Sequence, residues 1–365
     1  MERDQETAGP TSLTGEQRRD LVRDGYVIVR GAVPPDRVAR ARKRILAGMP
    51  PTERRLLAPA ELATHPEVVG LFQESALASL LRQEMGPFPD VVSCQIAVTP
   101  GHDPLGGKPA AHVDGSWSGP IPTRAEDIEP ERGRPRDAAR YFGEHDERRG
   151  TNDGLLWQDP ERRISLGSYT ALVGIALNDQ LEPGNGQFAV LSGVHEEVQA
   201  AFRMQRDRGG VIGPEGPGWP RIRIDEDGRP VFNGLPETVR ARAREAAAAP
   251  AIDGWPGPEL TPILLAAGDA VIALHACPHT ATPNHGPNPR MNVYFRIRRL
   301  REGNPHEGTR RVGHGVSDHP DRGYFGQFLD YPESYDPWGT SVAKLCDHWS
   351  EWDLVGQERP RTSVV

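Results

Sequence analysis

Residues Arg290 to Leu300 form the clearest strand in the chain: Met291, Val293, Phe295 and Ile297 alternate with Arg290, Asn292, Tyr294, Arg296 and Arg298. Successive side chains of an extended segment point to opposite faces, so this pattern makes a sheet with one apolar and one polar face. Arg290 stands with the polar set.

The segment before this strand carries chemistry. Ala270 to His275 reads as an apolar strand leading to His279, a turn rich in Pro and Asn follows, and Arg290 comes eleven residues after His279. Far upstream, KPAAHVDGSW contains His112 and Asp114. Residues two apart on an extended chain point the same way, so this imidazole and carboxylate can converge on one divalent ion. His279 is the best third ligand. Its rivals are His275, which falls within the strand, and His285. Two histidines and one carboxylate leave open positions on a metal, the set that suits non-haem Fe(II) and oxygen. A guanidinium grips a carboxylate through two parallel hydrogen bonds, so Arg290 is placed to hold the far end of a dicarboxylate that chelates the metal.

The rest of the chain reads as follows. Thr14 and Gln17 make a capping box that predicts a helix to about Val22, ended by Asp24 and Gly25. Tyr26 to Val29 is strand-like, and Pro34-Pro35-Asp36 opens a helix with Val38, Ala41, Ile45 and Leu46 at helical spacing. Apolar residues recur at helical intervals from Val68 to Met85, before Gly86 and Pro87. Asp90 to Val98, Ser168 to Leu177 and Phe188 to Leu191 read as strands, and Glu237 to Ala249 as a helix. Two stretches, about 120–163 and 209–262, are crowded with charge, Pro and Gly and read as insertions, and a tail runs from 303 to 365. No internal repeat is present.

Composition narrows the classes. The net charge is −8 with basic and acidic residues interspersed, which argues against a nucleic-acid binder. The three cysteines form no C-x-x-C pair, so no disulfide framework or structural zinc site is indicated, and Cys94 and Cys277 read as small core residues. The N-terminal stretch is polar, without the apolar core of a signal peptide, and no run matches the roughly 18 apolar residues of a membrane span. A soluble, cytoplasmic protein with no membrane partner is expected.

With these residues in view, the chain resembles the phytanoyl-CoA dioxygenase family of Fe(II)- and 2-oxoglutarate-dependent oxygenases. The likeness rests on LTGEQRRDLVRDGYVIVRGAVPPDRV, AAHVDGSW and PHTATPNHGPNPRMNVYFR, with NGQFAVLSGVHEEV between them. It covers most of the chain apart from the two insertions and the tail. It implies one domain over 1–365, mainly β with flanking α: a double-stranded β-helix, the jelly-roll or cupin-like core, with N-terminal helices. It also implies His112, Asp114 and His279 as iron ligands and Arg290 as the clamp on the distal carboxylate of 2-oxoglutarate. His195 resembles the family's structural turn histidine.

Two departures stand out. The separation of His112 from His279 is long for the family, because it includes both insertions. Ala281 stands where many members place a serine that helps hold the cosubstrate carboxylate, which leaves Thr170 or Thr280 as substitutes. Gln95, on the strand before the metal motif, is a further candidate for the cosubstrate.

The reaction implied is oxidative decarboxylation of 2-oxoglutarate by molecular oxygen to succinate and CO2, coupled to hydroxylation of a small organic molecule, with a specialised metabolite as the expected substrate class. Asp114 argues against halogenation, since related halogenases carry a small residue there. Desaturation, epoxidation and rearrangement use the same iron centre and stay open. The alternatives are a non-catalytic small-molecule or metal-binding protein on the same barrel, and a zinc hydrolase in which Arg290 would have no cosubstrate to hold.

Overall fold

The computed structural model describes residues 9–52, 58–88, 90, 91, 93–103, 111–113, 169–208, 218, 222–224, 230–232, 235–246, 260–297, 311–314 and 326–329. Asp114, the insertion at 120–163 and most of the tail lie outside the described residues.

Five helices come first. Helix α1 (Gly15–Asp24) begins with the expected capping box, Thr14 and Gln17 each bonding the other's backbone N–H, and ends at Gly25 in the left-handed region with φ 80°. Strand β1 (Tyr26–Val29) follows, then α2 (Pro35–Gly48), which buries Val38, Ala41 and Ile45, and the short α3 (Ala60–Ala63). The apolar run from Val68 to Met85 is two helices, α4 (Pro66–Gln73) and α5 (Ala76–Met85). Ser75 makes the break: its hydroxyl donates to the Phe72 carbonyl and accepts from the Leu77 N–H, stopping one helix and capping the next. Arg18 holds α1 on α5 through two hydrogen bonds to Glu84, which also accepts from the Leu13 N–H.

The strands that follow are β2 (Gln95–Thr99), β3 (Ala171–Ala176) and β4 (Phe188–Leu191). After helix α6 (His195–Arg208) come a small hairpin, β5 (Ile222–Ile224) with β6 (Pro230–Phe232), and helix α7 (Glu237–Ala246). The rest are β7 (Leu260–Pro262), β8 (Ala270–Leu274), β9 (His279–Ala281), β10 (Arg290–Ile297), β11 (Arg311–His314) and β12 (Gly326–Leu329). Strand β7 falls at the end of the stretch 209–262 that the sequence reads as an insertion, yet it belongs to a core sheet.

Two antiparallel sheets carry the centre: a five-stranded one in the order β1-β8-β3-β10-β2 and a three-stranded one in the order β7-β4-β9. Met291, Val293 and Phe295 on β10 join Val27, Val173, Ile175 and Ile272 in a core closed by the N-terminal helices, with the Phe72 ring 5.3 Å from that of Phe295. Each such side chain contributes about 1.5–3 kcal/mol when fully buried. The opposite face of β10 is not solvated. Arg290, Asn292, Tyr294 and Arg296 are all buried, because that face meets the smaller sheet, where Phe188 lies 5.7 Å from the Tyr294 ring.

Candidate active site

Helix α6 anchors the smaller sheet's end to the N-terminal unit. His195, its first residue, is buried and its Nε2 lies 3.1 Å from the Val22 carbonyl, while the Gly193 N–H donates to the Asp24 carbonyl at 2.9 Å. His195 is thus a packing and hydrogen-bonding residue.

One end of the inner space holds the histidines. The N–H of His112 donates to the His279 carbonyl at 3.0 Å and the N–H of His279 to the His112 carbonyl at 2.8 Å, a single bridge that brings these distant segments together. Their ring centroids are 4.9 Å apart with planes inclined by 51°. His279 Nδ1 lies 3.2 Å from the Cys277 carbonyl. That contact favours the tautomer with the proton on Nδ1, which makes Nε2 the nitrogen with a lone pair for a metal. Asp114 follows His112 by two residues but lies outside the described part. Among the described residues no group of three His, Cys, Asp or Glu side chains converges as a metal site. His275, the rival to His279, is instead packed between Tyr169 and Phe202, at 4.8 and 6.0 Å ring to ring.

A path of side chains leads from the histidines to Arg290. Phe188 lies 5.2 Å from the His279 ring and 5.7 Å from Tyr294, which shares its face of β10 with Asn292 and Arg290. Tyr294 leans across β3 at Gly174, where any Cβ would come within 2.8 Å of its ring; glycine is needed there for close approach rather than for φ. Asn292 donates to the Tyr294 hydroxyl at 2.9 Å and accepts from Gln180 at 2.6 Å.

Among the described residues Arg290 is the largest fully buried side chain, 1% exposed. Its Nε donates to the Gly186 carbonyl at 2.6 Å, and among the described residues Nη1 has no hydrogen-bond partner. No carboxylate among the described residues pairs with it. Gly186 permits the contact: its φ is 74°, and a Cβ there would lie 3.2 Å from the Cβ of Arg290. A guanidinium stays charged at all relevant pH, and burying it with an unmet donor is costly, so the arrangement calls for an anion.

The other residues singled out from sequence fall as follows. Gln95 is buried on β2 opposite Tyr294, hence on the same face as Arg290. Thr170 is at the far end of the sheet: its N–H donates to the Ile297 carbonyl, seven positions along β10 from Arg290, about 23 Å at 3.3 Å per residue. It cannot share a carboxylate with Arg290. Thr280 alternates with His279 and Ala281 on β9 and so occupies the opposite face, its hydroxyl 3.5 Å from the Ala281 carbonyl. Thr99, which sequence reasoning passed over, pairs directly with Arg290 across β2 and β10. A threonine ending an apolar strand gives no signal of this until the register is known.

No family model matches the chain, and no curated protein matches it. Solved structures do. HygX from Streptomyces hygroscopicus, with nickel, 2-oxoglutarate and hygromycin B bound, is 14% identical over 88% of this chain and 98% of its own, with a TM-score of 0.43. The non-haem α-ketoglutarate-dependent carbocyclase SnoK from nogalamycin biosynthesis is 18% identical over 81% and 92%, TM-score 0.39. EctD from S. alaskensis, with 2-oxoglutarate and 5-hydroxyectoine, is 14% identical over 80% and 77%, TM-score 0.42. HygX has also been solved with iron bound. Among the described residues no helix is long and apolar enough to cross a membrane.

Proposed function

We propose that this chain is an Fe(II)- and 2-oxoglutarate-dependent dioxygenase, a single double-stranded β-helix domain that hydroxylates a small organic molecule with release of succinate and CO2. The observation that carries this reading is the pairing of two features of one interior: His112 beside His279 at one end, and a buried arginine with an unmet N–H at the other. An anion-binding residue inside the sheets has no place in a bare metal site, which weighs against the zinc hydrolase.

The residues fit the two groups. His112 and His279 with Asp114 would hold the metal, a donor set of imidazoles and carboxylate suited to Fe(II), and Arg290 would hold a carboxylate. The bound metal and keto acid together supply the oxidising chemistry, by activating molecular oxygen. The protein's own part is positional. Backbone bonding holds the two histidines side by side, the Gly186 carbonyl orients the guanidinium, and the Phe188 and Tyr294 rings lie between them.

Succinate release on aerobic incubation with Fe(II), 2-oxoglutarate and a library of small metabolites tests the proposal. The parent should give substrate-stimulated succinate, and His112→Ala and Arg290→Ala should not. Equal release by both variants would refute the roles assigned to these residues.

A further inference from the structure

Thr99 and Arg290 stand directly opposite each other where β2 pairs with β10. Directly paired residues of an antiparallel sheet project from the same face with Cβ atoms about 4.5–5.5 Å apart. Both are closed to solvent, Thr99 at 0% and Arg290 at 1% exposure. Each also keeps a polar atom without a hydrogen-bond partner among the described residues, Oγ1 of Thr99 and Nη1 of Arg290. Buried polar atoms are nearly always satisfied, so two orphans facing inward from one strand pair are better read as one ligand site than as two separate defects. A hydroxyl and a guanidinium N–H are both donors, and a carboxylate, with two acceptor oxygens, answers both.

The surroundings agree. Asn292, next along the inner face, has its amide engaged with Gln180 and Tyr294, so it does not compete for the carboxylate. Its cross-strand neighbours are Ala97 and Ala176, small residues that leave room for a short carbon chain running from Arg290 toward the histidines. Ala281, beside His279 on β9, has no hydroxyl to offer.

We propose that Thr99 is the second donor to the distal carboxylate of the cosubstrate, sharing it with Arg290 in place of the hydroxyl that Ala281 lacks. The assignment rests on the oxygenase reading above.

The test is an anaerobic titration of the Fe(II)-loaded full-length protein, read by its visible charge-transfer band. The titrants are 2-oxoglutarate and 2-oxopentanoate, which keeps the keto-acid end but lacks the distal carboxylate. The proteins are the parent, Thr99→Val, Thr99→Ser and Arg290→Met. Thr99→Val should bind 2-oxoglutarate about tenfold more weakly, the usual effect of one hydrogen bond to a charged group. It should bind 2-oxopentanoate as the parent does and, without ligand, melt no lower than the parent, since valine removes an orphan hydroxyl with little change of shape. Thr99→Ser should restore 2-oxoglutarate binding. Parent-like affinity in Thr99→Val beside a weakened Arg290→Met overturns the Thr99 assignment and leaves the oxygenase reading intact. Equal weakening toward both keto acids overturns it as well, because the effect would then lie away from the distal carboxylate. A parent that gives no band with either acid removes both proposals.

Discussion

His112 and His279 each donate a backbone N–H to the other's carbonyl, at 3.0 and 2.8 Å, and their rings lie 4.9 Å apart. On the proposed reading the two histidines would be brought together by the main chain before any metal binds. His112→Ala should therefore leave the backbone bridge in place while removing one donor. We expect Fe(II) affinity to fall by at least about 100-fold, beyond what loss of a supporting residue costs, with the melting temperature of the apoprotein nearly unchanged. Competition against a chelator of known affinity measures the first, and a thermal scan the second.

Gly186 holds the Arg290 guanidinium through its carbonyl. Alanine there must adopt φ 74° and place its Cβ 3.2 Å from that of Arg290 and 3.1 Å from that of Asn284. Gly186→Ala should cost about 1–2 kcal/mol from the left-handed backbone alone. It should also raise KM for 2-oxoglutarate more than it lowers kcat, because the carbonyl that fixes the guanidinium moves. Steady-state kinetics with varied 2-oxoglutarate gives the split.

Gly25 is a purely structural counterpart. With φ 80° and a virtual Cβ 2.7 Å from Nδ1 of His195, it lets the end of α1 press against the start of α6. Gly25→Ala should destabilise by about 2–4 kcal/mol, combining left-handed strain with a steric clash, while the affinity of the surviving folded protein for 2-oxoglutarate is unchanged. Chemical denaturation read with and without cosubstrate checks both parts.

Cys94 and Cys277 are both fully buried, and burial pushes both thiols upward, with Asp24 adding to the effect at Cys277. A raised thiol pKa keeps the protonated, unreactive form dominant at neutral pH and above. Neither residue should be alkylated in the native protein at pH 8, whereas both should react in denaturant. Peptide mapping after labelling distinguishes them from Cys346.

Local rules carried the reading where structure is local. The capping box at Thr14, the proline-initiated α2 and the alternation of β10 are decided by neighbours in sequence, and each matches its element. The His112–His279 pairing was legible because the chemistry of the donor set demanded a partner for the H-x-D motif. The split of the Val68–Met85 run at Ser75 was not, since apolar spacing continues across the break and only the hydroxyl's bonds to Phe72 and Leu77 reveal it. Helix α6 was missed because HEEVQAAFRMQRDR is rich in charge and exposes part of its surface, with Val198, Ala201 and Phe202 on its buried side. Thr99, Gly174 and Gly186 act through contacts with residues far away in sequence. Strand register brings Thr99 to Arg290 and Gly174 to Tyr294, and no local pattern encodes it.

On the proposed reading one interior binds a metal at the histidines and a keto acid's far carboxylate at Arg290. Anaerobic equilibrium binding of 2-oxoglutarate to the Fe(II)-loaded parent, His279→Ala and Arg290→Met separates the two ends. The parent should show a visible charge-transfer band and His279→Ala none. Arg290→Met should retain iron with 2-oxoglutarate weakened by about 100-fold, the scale of losing a buried bidentate charge pair. Parent-like 2-oxoglutarate affinity in Arg290→Met, or full iron binding with an undiminished band in His279→Ala, would show that these residues do not hold the two groups.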